Sequence, residues 1–366
     1  MIIPELPAYL TDLGGAEYKG LIISVFTITA MISRPFSGKL ADRFGRIPVI
    51  VFGSVICFVC GILYPLVLSV TGFLIIRLIH GFSTGFTPTG QSAYLSDVIP
   101  AQRRGEAMGI MGTAGSIGMA IGPPVGGVIA NQFSINALFY TSSLFAIVSL
   151  FILKGIKETL SVRNKFSASM LKITRYDLFD FKVWMPCLVM VLCSYSYGVI
   201  LTLVPDLSEF AGIRNKGLLF IFFTIASLAV RLIGGKASDR YGRKNVMIFA
   251  TGMIAGAMTW IGFSDSPHSL MIGMTLYGLG QGMASPTLLA WVTDISDDHH
   301  KGRGIASLYI AMELGIGSGA FSGALIYGND ASHFIRTFLT CGSLSALAFI
   351  FLLSVSFKRK WLSGST

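Results

Sequence analysis

Charged residues are scarce in this chain. They make up 13% of its 366 residues, against about 25% in a typical soluble domain. So little charge cannot cover a surface that faces water, whereas a surface that faces lipid needs almost none. The hydrophobic fraction of 53% and the mean hydropathy of +0.70 agree with a lipid-facing surface. These features exclude a soluble enzyme and a free nucleic-acid-binding protein, and they favour an integral membrane protein.

Cysteine is also rare, and the chain has only five. Each lies in an apolar segment, and none has the spacing of a metal-ligand cluster, so we interpret them as small packing residues. No apolar segment pairs a nucleophile with a base at helical spacing. We therefore expect no metal, no cofactor and no enzymatic activity. The five are Cys57, Cys60, Cys187, Cys193 and Cys341.

Long apolar runs, by contrast, recur along the whole chain. The first run, residues 1–10, is shorter than the roughly 20 residues that a spanning helix needs. We expect it to be the outer half of a first helix, so that the intact protein would have twelve. Eleven complete spans are predicted near 20–38, 47–68, 72–95, 105–130, 136–153, 183–204, 217–235, 246–263, 268–291, 304–327 and 335–356.

Basic residues are concentrated in alternate connections between these spans. Examples are 39–46, 154–182, 236–244 and the tail 358–360. By the positive-inside rule these connections and the C-terminus lie in the cytoplasm, so the net charge of +10 reflects topology rather than nucleic-acid binding. Apolar residues interleave the basic ones in 154–182, which predicts an interfacial helix against anionic lipid. We expect a multi-pass protein of the plasma (inner) membrane of a bacterium.

An internal repeat is the strongest signal in the chain. Residues 34–46 recur at 231–243 with an offset of 197 residues, and the same offset places Asp97 on Asp294 without a gap. Two six-helix halves joined by a charged linker explain this pattern. The predicted division is an N-terminal helix bundle at 1–153, a cytoplasmic basic amphipathic linker at 154–182 and a C-terminal helix bundle at 183–366.

Three motifs resemble those of one known family. The segment Gly38-Lys-Leu-Ala-Asp-Arg-Phe-Gly-Arg46 resembles the helix 2–3 signature of the major facilitator superfamily, with a weaker copy at 235–243. Arg77 with glycines four and eight residues later resembles the second motif of that family. The segment 118–127 is similar to the antiporter motif of proton-coupled drug exporters. This resemblance implies an all-α membrane protein of two six-helix bundles, similar to the twelve-helix drug:proton antiporter group.

The resemblance also implies a cytoplasmic latch that holds the outward-open state. Asp42 would point at the N-terminus of the eleventh helix, where the helix dipole favours a carboxylate. Arg46 would face Asp97, and Arg243 would face Asp294 in the other half. The alternative is that such turns are only solvated topology signals. The predicted latch residues are Gly38, Asp42, Arg43, Arg46, Asp97, Gly235, Asp239, Arg240, Arg243 and Asp294.

Positions that differ between the two halves inside the membrane are candidates for transport chemistry. Arg77 opposes Met274 under the offset, and an arginine at mid-span costs about 2.5–3.5 kcal/mol, so it is expected to orient substrate or to couple to an acid. Its alternative role is a hydrogen bond to backbone. Glu313 opposes Ser116 and is a candidate proton carrier, or else a neutral acid bonded across helices. The predicted substrate and coupling residues are Arg77, Glu313, Glu5, Gln281 and Tyr197.

One asymmetry between the halves bears on the direction of transport. The antiporter-like segment is expected to kink the fifth helix and to let the eighth approach closely. The C-terminal copy keeps the glycines but replaces the prolines by Ala320 and Phe321, and this difference favours an exporter. The predicted residues of the motif are Gly118, Gly122, Pro123, Gly126 and Gly127.

The sequence therefore predicts a secondary active transporter, exporting small amphipathic or drug-like molecules by alternating access in exchange for protons. We expect a small-molecule substrate and protons as partners, contact with anionic lipids, no nucleic acid, and a monomer. A sugar or organic-acid carrier of the same fold is one alternative. A truncated, non-transporting paralogue or sensor is another, because part of the first helix is expected to be missing.

Overall fold

A computed structural model describes residues 1–99, 104–160, 165–173, 179–296 and 301–363. Over these ranges the chain folds into helices and no strand is present. A short first helix precedes eleven long ones. Their bounds are α1 Leu6–Asp12, α2 Lys19–Arg43, α3 Arg46–Leu63, α4 Val70–Val98, α5 Arg104–Gln132, α6 Ile135–Leu153, α7 Trp184–Phe210, α8 Leu218–Tyr241, α9 Arg243–Gly262, α10 Pro267–Ile295, α11 Lys301–Tyr327 and α12 Phe334–Ser363.

The order and number of these helices match the prediction of eleven complete spans after a partial one. Nine helices in the described ranges are both long and apolar enough to cross a membrane. The predicted ends were less accurate where proline or charge follows an apolar run. Helix α7, for example, was predicted to stop near 204 but continues through Pro205 to Phe210. Proline removes only one backbone donor, and neighbouring helices in a bundle compensate for that loss.

The two halves repeat the same packing. In the N-terminal half α4 packs against α2 and α3, and in the C-terminal half its counterpart α10 packs against α8 and α9. The halves meet through two equivalent helix pairs, α2 with α11 and α5 with α8. We call the end of the molecule that carries the turn between α2 and α3 the basic face, and the other end the opposite face.

The linker between α6 and α7 lies at the basic face. The interfacial α-helix that we expected is absent from its described residues, where 3-10 turns form at Ala168–Leu171 and Phe181–Val183. Specific contacts explain the irregular backbone: Met170 is buried in a cluster with Leu40, and the Asp180 backbone N–H donates to Ser307 Oγ. The linker thus contacts helices of both halves.

Candidate functional site

A buried ion pair joins the two halves near the middle of their helices. Arg34 on α2 donates from Nη2 to Glu313 Oε1 on α11 at 2.7 Å, and the two side chains are only 8% and 4% exposed. The guanidinium also lies over the ring of Tyr309, 4.8 Å from its centroid. Tyr309 and Glu313 are one turn apart on α11, so both reach the same point on α2. Glu313 is thus held by a cation of the other half.

The second pair of facing helices contains the equivalent contact. Arg231 on α8 corresponds to Arg34 under the offset of 197 residues, and its Nη1 donates to Ser116 Oγ on α5 at 3.2 Å. Ser116 corresponds in turn to Glu313. The repeat therefore builds two arginine contacts across the interface, and only one of them has a carboxylate partner.

The halves also touch at the opposite face. Lys19 Nζ lies 2.7 Å from Asp206 Oδ2, and Asn329 Nδ2 donates to the carbonyl of Ala16 at 3.0 Å. Helices α2 and α11 approach so closely there that a Cβ on Gly20 would lie 2.7 Å from the Cβ of Ala324. The opposite face is closed in this conformation.

The antiporter-like segment contributes to this closure. A Cβ at Gly217, which precedes α8, would clash with the carbonyl carbon of Pro123. Gly126 and Gly122 border Met1, Gly127 borders Asn215, and nothing lies within 4 Å of a Cβ at Gly118. Helix α5 remains one continuous α-helix through both of its prolines. The glycines and prolines thus permit close contact with α8 and with the first residues of the chain.

At the basic face each half brings its predicted arginine and aspartates together. Arg46 Nε lies 3.0 Å from Asp97, with its Nη1 2.7 Å from Asp42. Arg243 Nε lies 2.9 Å from Asp294, and its Nη1 pairs with Asp239. All four carboxylates are at least 30% exposed.

The remaining latch residues make fewer contacts. Arg43 is exposed, Arg240 stacks on Tyr241, and a Cβ at Gly38 would meet nothing within 4 Å. Gly235 lies within α8, but its surroundings fall outside the described part, as do residues 297–300, which precede the α11 N-terminus that Asp42 was expected to face. The role of these residues as a latch remains a prediction.

One acidic residue at the basic face was missed by the sequence analysis. Glu158, after α6, accepts hydrogen bonds from the backbone N–H groups of Arg46 and Ile47 at the start of α3, both at 3.0 Å. Partial burial acts to raise the pKa of this carboxyl, but four backbone donors outweigh it and lower the pKa. The φ of +145° at Gly45, a conformation that favours glycine, brings the chain round to this contact.

Arg77 lies apart from Glu313, inside the N-terminal half. Its Nε donates to the carbonyl oxygen of Ile22 at 2.8 Å, and its Nη1 donates to the Tyr64 hydroxyl at 3.4 Å. The guanidinium also covers the ring of Phe26. In this conformation Arg77 therefore makes the backbone contact weighed as the alternative to a coupling role.

The other predicted coupling residues are distributed around the interior. Gln281 Nε2 donates to the Tyr277 hydroxyl at 2.8 Å, and Tyr197 stacks on Phe223. Glu5 is buried, and among the described residues its Oε1 has no hydrogen-bond partner. Within that same part of the chain, none of these residues forms a hydrogen bond or an ion pair with Glu313.

Arg34 is a candidate functional residue that the sequence analysis did not single out. It is visible in the sequence as an arginine common to both repeats, opposite Arg231. The sequence analysis selected positions that differ between the halves, and that rule misses an arginine when only its partner differs. The signal in the sequence was that the offset of 197 residues relates Arg34 to Arg231 and also relates Ser116 to Glu313.

Known proteins resemble this chain along nearly its full length. The multi-drug resistance efflux pump PmrA of Streptococcus pneumoniae is 25% identical to this chain over 345 residues. The aligned region covers 91% of this chain and 86% of the pump. Multidrug resistance protein MdtG of Serratia proteamaculans is 27% identical over 95% of this chain and 87% of its own length. An inward-open structure of the xylose transporter XylE from E. coli superposes with a TM-score of 0.78 at 17% identity, over 96% of this chain and 91% of that one.

The family profile described as Major Facilitator Superfamily matches residues 1–214 and again 186–365. The two matches cover the two halves that the internal repeat defines. Together with the helical fold, they confirm the resemblance drawn from the motifs. This chain belongs to the Major Facilitator Superfamily and is a multi-span membrane transporter of small molecules, not an enzyme.

Proposed function

We propose that this transporter exports small amphipathic or drug-like molecules in exchange for protons, by alternating access between its two halves. The observation that carries the proposal is the buried ion pair between Arg34 and Glu313, because its members belong to opposite halves. The relatives named as multidrug resistance proteins support this class of substrate and the direction of transport.

Glu313 is the proposed proton carrier. When it is ionised, it neutralises Arg34 and holds α2 against α11. When it takes up a proton, that attraction is lost and Arg34 is left as an uncompensated buried charge. Proton uptake therefore changes the relative free energy of the conformations in which the halves are together or apart. A difference of this kind is what a two-state transporter needs for coupling.

The described conformation fits one stage of such a cycle. We place the basic face and the C-terminus in the cytoplasm, as the distribution of Lys and Arg predicts. The closed opposite face then lies outside, and Glu313 has already released its proton to pair with Arg34. In this inward-facing stage a substrate enters from the cytoplasm. Asp42, 72% exposed here, is proposed to meet the α11 N-terminus only when the basic face closes.

The other predicted residues keep proposed roles in this scheme. Glu5, Gln281 and Tyr197 are proposed to line the substrate path in other stages of the cycle, and Arg77 to fix the position of α2 through its bond to Ile22. We propose a monomer in a bacterial plasma membrane, with the 154–182 linker contacting anionic lipids.

Inside-out vesicles that contain the full chain test the proposal. Their lumen is acidified by respiration, and a panel of amphipathic dyes that includes rhodamine 6G is then added. We expect dye-dependent proton release from the lumen, measured as recovery of acridine orange fluorescence. Glu313→Gln should abolish this release, because glutamine cannot exchange a proton at neutral pH.

The matched control is Glu209→Gln in the same half. Glu209 is 71% exposed and pairs with Lys216 at the opposite face, so its replacement should leave proton release unchanged. Unaltered release in Glu313→Gln would remove that residue from the mechanism. Proton movement driven only by sugars or simple organic acids would instead favour a carrier of those compounds.

A further inference from the structure

We propose that Arg231 is a binding site for the anionic group of an organic substrate, with Ser116 and Gly112 of α5 forming the other side of the site. The inference rests on the proposed transport function and identifies one class of its substrates, amphipathic molecules that carry a carboxylate or a similar anion. Arg231 and Ser116 lie on different halves and already contact each other at 3.2 Å.

The internal repeat supplies the comparison on which the site is based. At one interface Arg34 meets Tyr309 and Glu313, so an aromatic ring and a carboxylate surround its guanidinium. The offset of 197 residues places Gly112 on Tyr309 and Ser116 on Glu313. On α5 the positions equivalent to that ring and that carboxylate therefore hold a glycine and a serine, while Tyr309 of α11 lies within electrostatic range of Arg231 as well. An external carboxylate at this point would reproduce the contact that the protein makes for itself at the other interface.

The charge around Arg231 favours an anion. Within the described part of the chain, Arg231 forms no ion pair, whereas Arg34 does; the Nε atoms of both arginines have no hydrogen-bond partner there. The two crossing contacts together contain two guanidinium groups and one carboxylate, that of Glu313, so the Arg231 contact carries a net positive charge. A cation at mid-span is costly and is usually neutralised by a partner or exposed to a water-filled cavity.

There is also room beside the guanidinium. Arg231 and Ser116 are half-buried, whereas Arg34 and Glu313 are buried, so the Arg231 contact is the more accessible of the two. On α5 a Cβ at Gly112 would lie 3.5 Å from Arg231 Nη1, and a Cβ at Gly115 would have nothing within 4 Å. The small residues thus leave space for a ligand where Tyr309 occupies it at the other interface.

The position within the helix identifies the kind of anion. Arg231 lies near the middle of α8, away from the helix ends where lipid phosphate groups are found. Sites of transport in folds with internal repeats lie near the midplane, at the interface between the repeats. A guanidinium in that position binds a carboxylate through charge-assisted hydrogen bonds. The ligand is therefore an organic anion with an apolar body.

Binding of a matched pair of fluorescent probes to the purified full chain in nanodiscs tests the site. Dansylglycine carries a carboxylate, and dansylglycinamide is its neutral counterpart. We expect dansylglycine to bind at least about tenfold more tightly, the difference typical of a hydrogen bond to a charged group. Arg231→Gln should reduce the affinity for dansylglycine to that for the amide, while amide binding and the melting temperature stay close to those of the parent chain.

The repeat provides a sharper variant. Ser116→Glu places a carboxylate where Glu313 lies in the other half, so it should pair with Arg231 and remove the preference for dansylglycine. Ser116→Gln has nearly the same volume without the charge and should therefore reduce that preference less than Ser116→Glu does. Equal loss in both variants would show that a carboxylate at this position does not compete with the ligand for Arg231 and would overturn the proposal. So would equal affinity of the parent chain for both probes, or a preference that survives Arg231→Gln.

These binding measurements need no proton gradient, so they are separate from the test of coupled export. A preference for dansylglycine together with absent proton release would support the anion site and overturn proton coupling. Proton release with rhodamine 6G together with equal binding of both dansyl probes would overturn the anion site and leave coupled export supported.

Discussion

At the scale of single residues, the two interface arginines differ through what faces them. Arg34 is neutralised by Glu313, whereas the equivalent Arg231 has only a serine hydroxyl. Removing one member of a buried ion pair leaves an uncompensated charge, and this costs much more than removing both. The coupling between Arg34 and Glu313 can therefore be measured separately from the contribution of each side chain.

The first prediction concerns that coupling. Arg34→Gln and Glu313→Gln should each lower the free energy of unfolding by about 3–5 kcal/mol. The double variant should lose clearly less than the sum of the two losses, because neither charge remains unpaired. Thermal unfolding of the purified chain in detergent measures the three values. The pair of half-buried Lys216 and exposed Glu209 serves as the control cycle, with an expected coupling of about 0–1 kcal/mol. Simple additivity of Arg34→Gln and Glu313→Gln would contradict the prediction.

At the scale of helices and turns, the sequence alone predicted most of the fold. Apolar runs located all eleven long helices, and the repeat related Asp97 to Asp294, the partners that Arg46 and Arg243 meet. The family resemblance implies these pairings, and the repeat transfers them from one half to the other. The contact from Arg34 to Glu313 depends on how α2 packs against α11, and no local pattern encodes a contact between two halves. The partners of Glu158 were missed for a similar reason, because they are backbone groups.

The second prediction concerns the turn that Glu158 stabilises at the start of α3. Hydrogen bonds from four backbone groups lower the pKa of this carboxyl below its ordinary value of 4.5. A lowered pKa means that the stabilisation is complete above about pH 4.5 and is lost as the pH falls through the lowered value. Hydrogen exchange of the Arg46 and Ile47 amides, expressed as protection relative to the free peptide, should show this acidic loss. In Glu158→Gln the protection of these two amides should be weaker and independent of pH. If this variant still lost protection at acidic pH, the effect would belong to another group.

At the scale of the whole molecule, the two halves repeat one crossing contact near the middle of the helices, and one of its two copies contains an acid. The same offset that relates the helices relates the two crossing contacts, so Glu313 and Ser116 occupy equivalent positions on opposite halves. Either position lies across the interface from an arginine. If proton coupling requires only a carboxylate facing an arginine of the other half, its location at one interface rather than the other is not essential. The choice of side would then be set by the anion site at Arg231.

The third prediction moves the acid to the other interface. Spin labels at Glu17 and Asp330, both exposed at the opposite face, report its opening as an increase in their distance. In the parent chain the distance should increase on acidification, because protonated Glu313 no longer holds Arg34. Glu313→Gln should remove this response. A chain with both Ser116→Glu and Glu313→Ser should again show the increase in distance on acidification, because the new carboxylate pairs with Arg231 across the equivalent helices. An exchanged chain as unresponsive as Glu313→Gln would mean that coupling depends on surroundings particular to Glu313, such as the ring of Tyr309, and not on the symmetric contact.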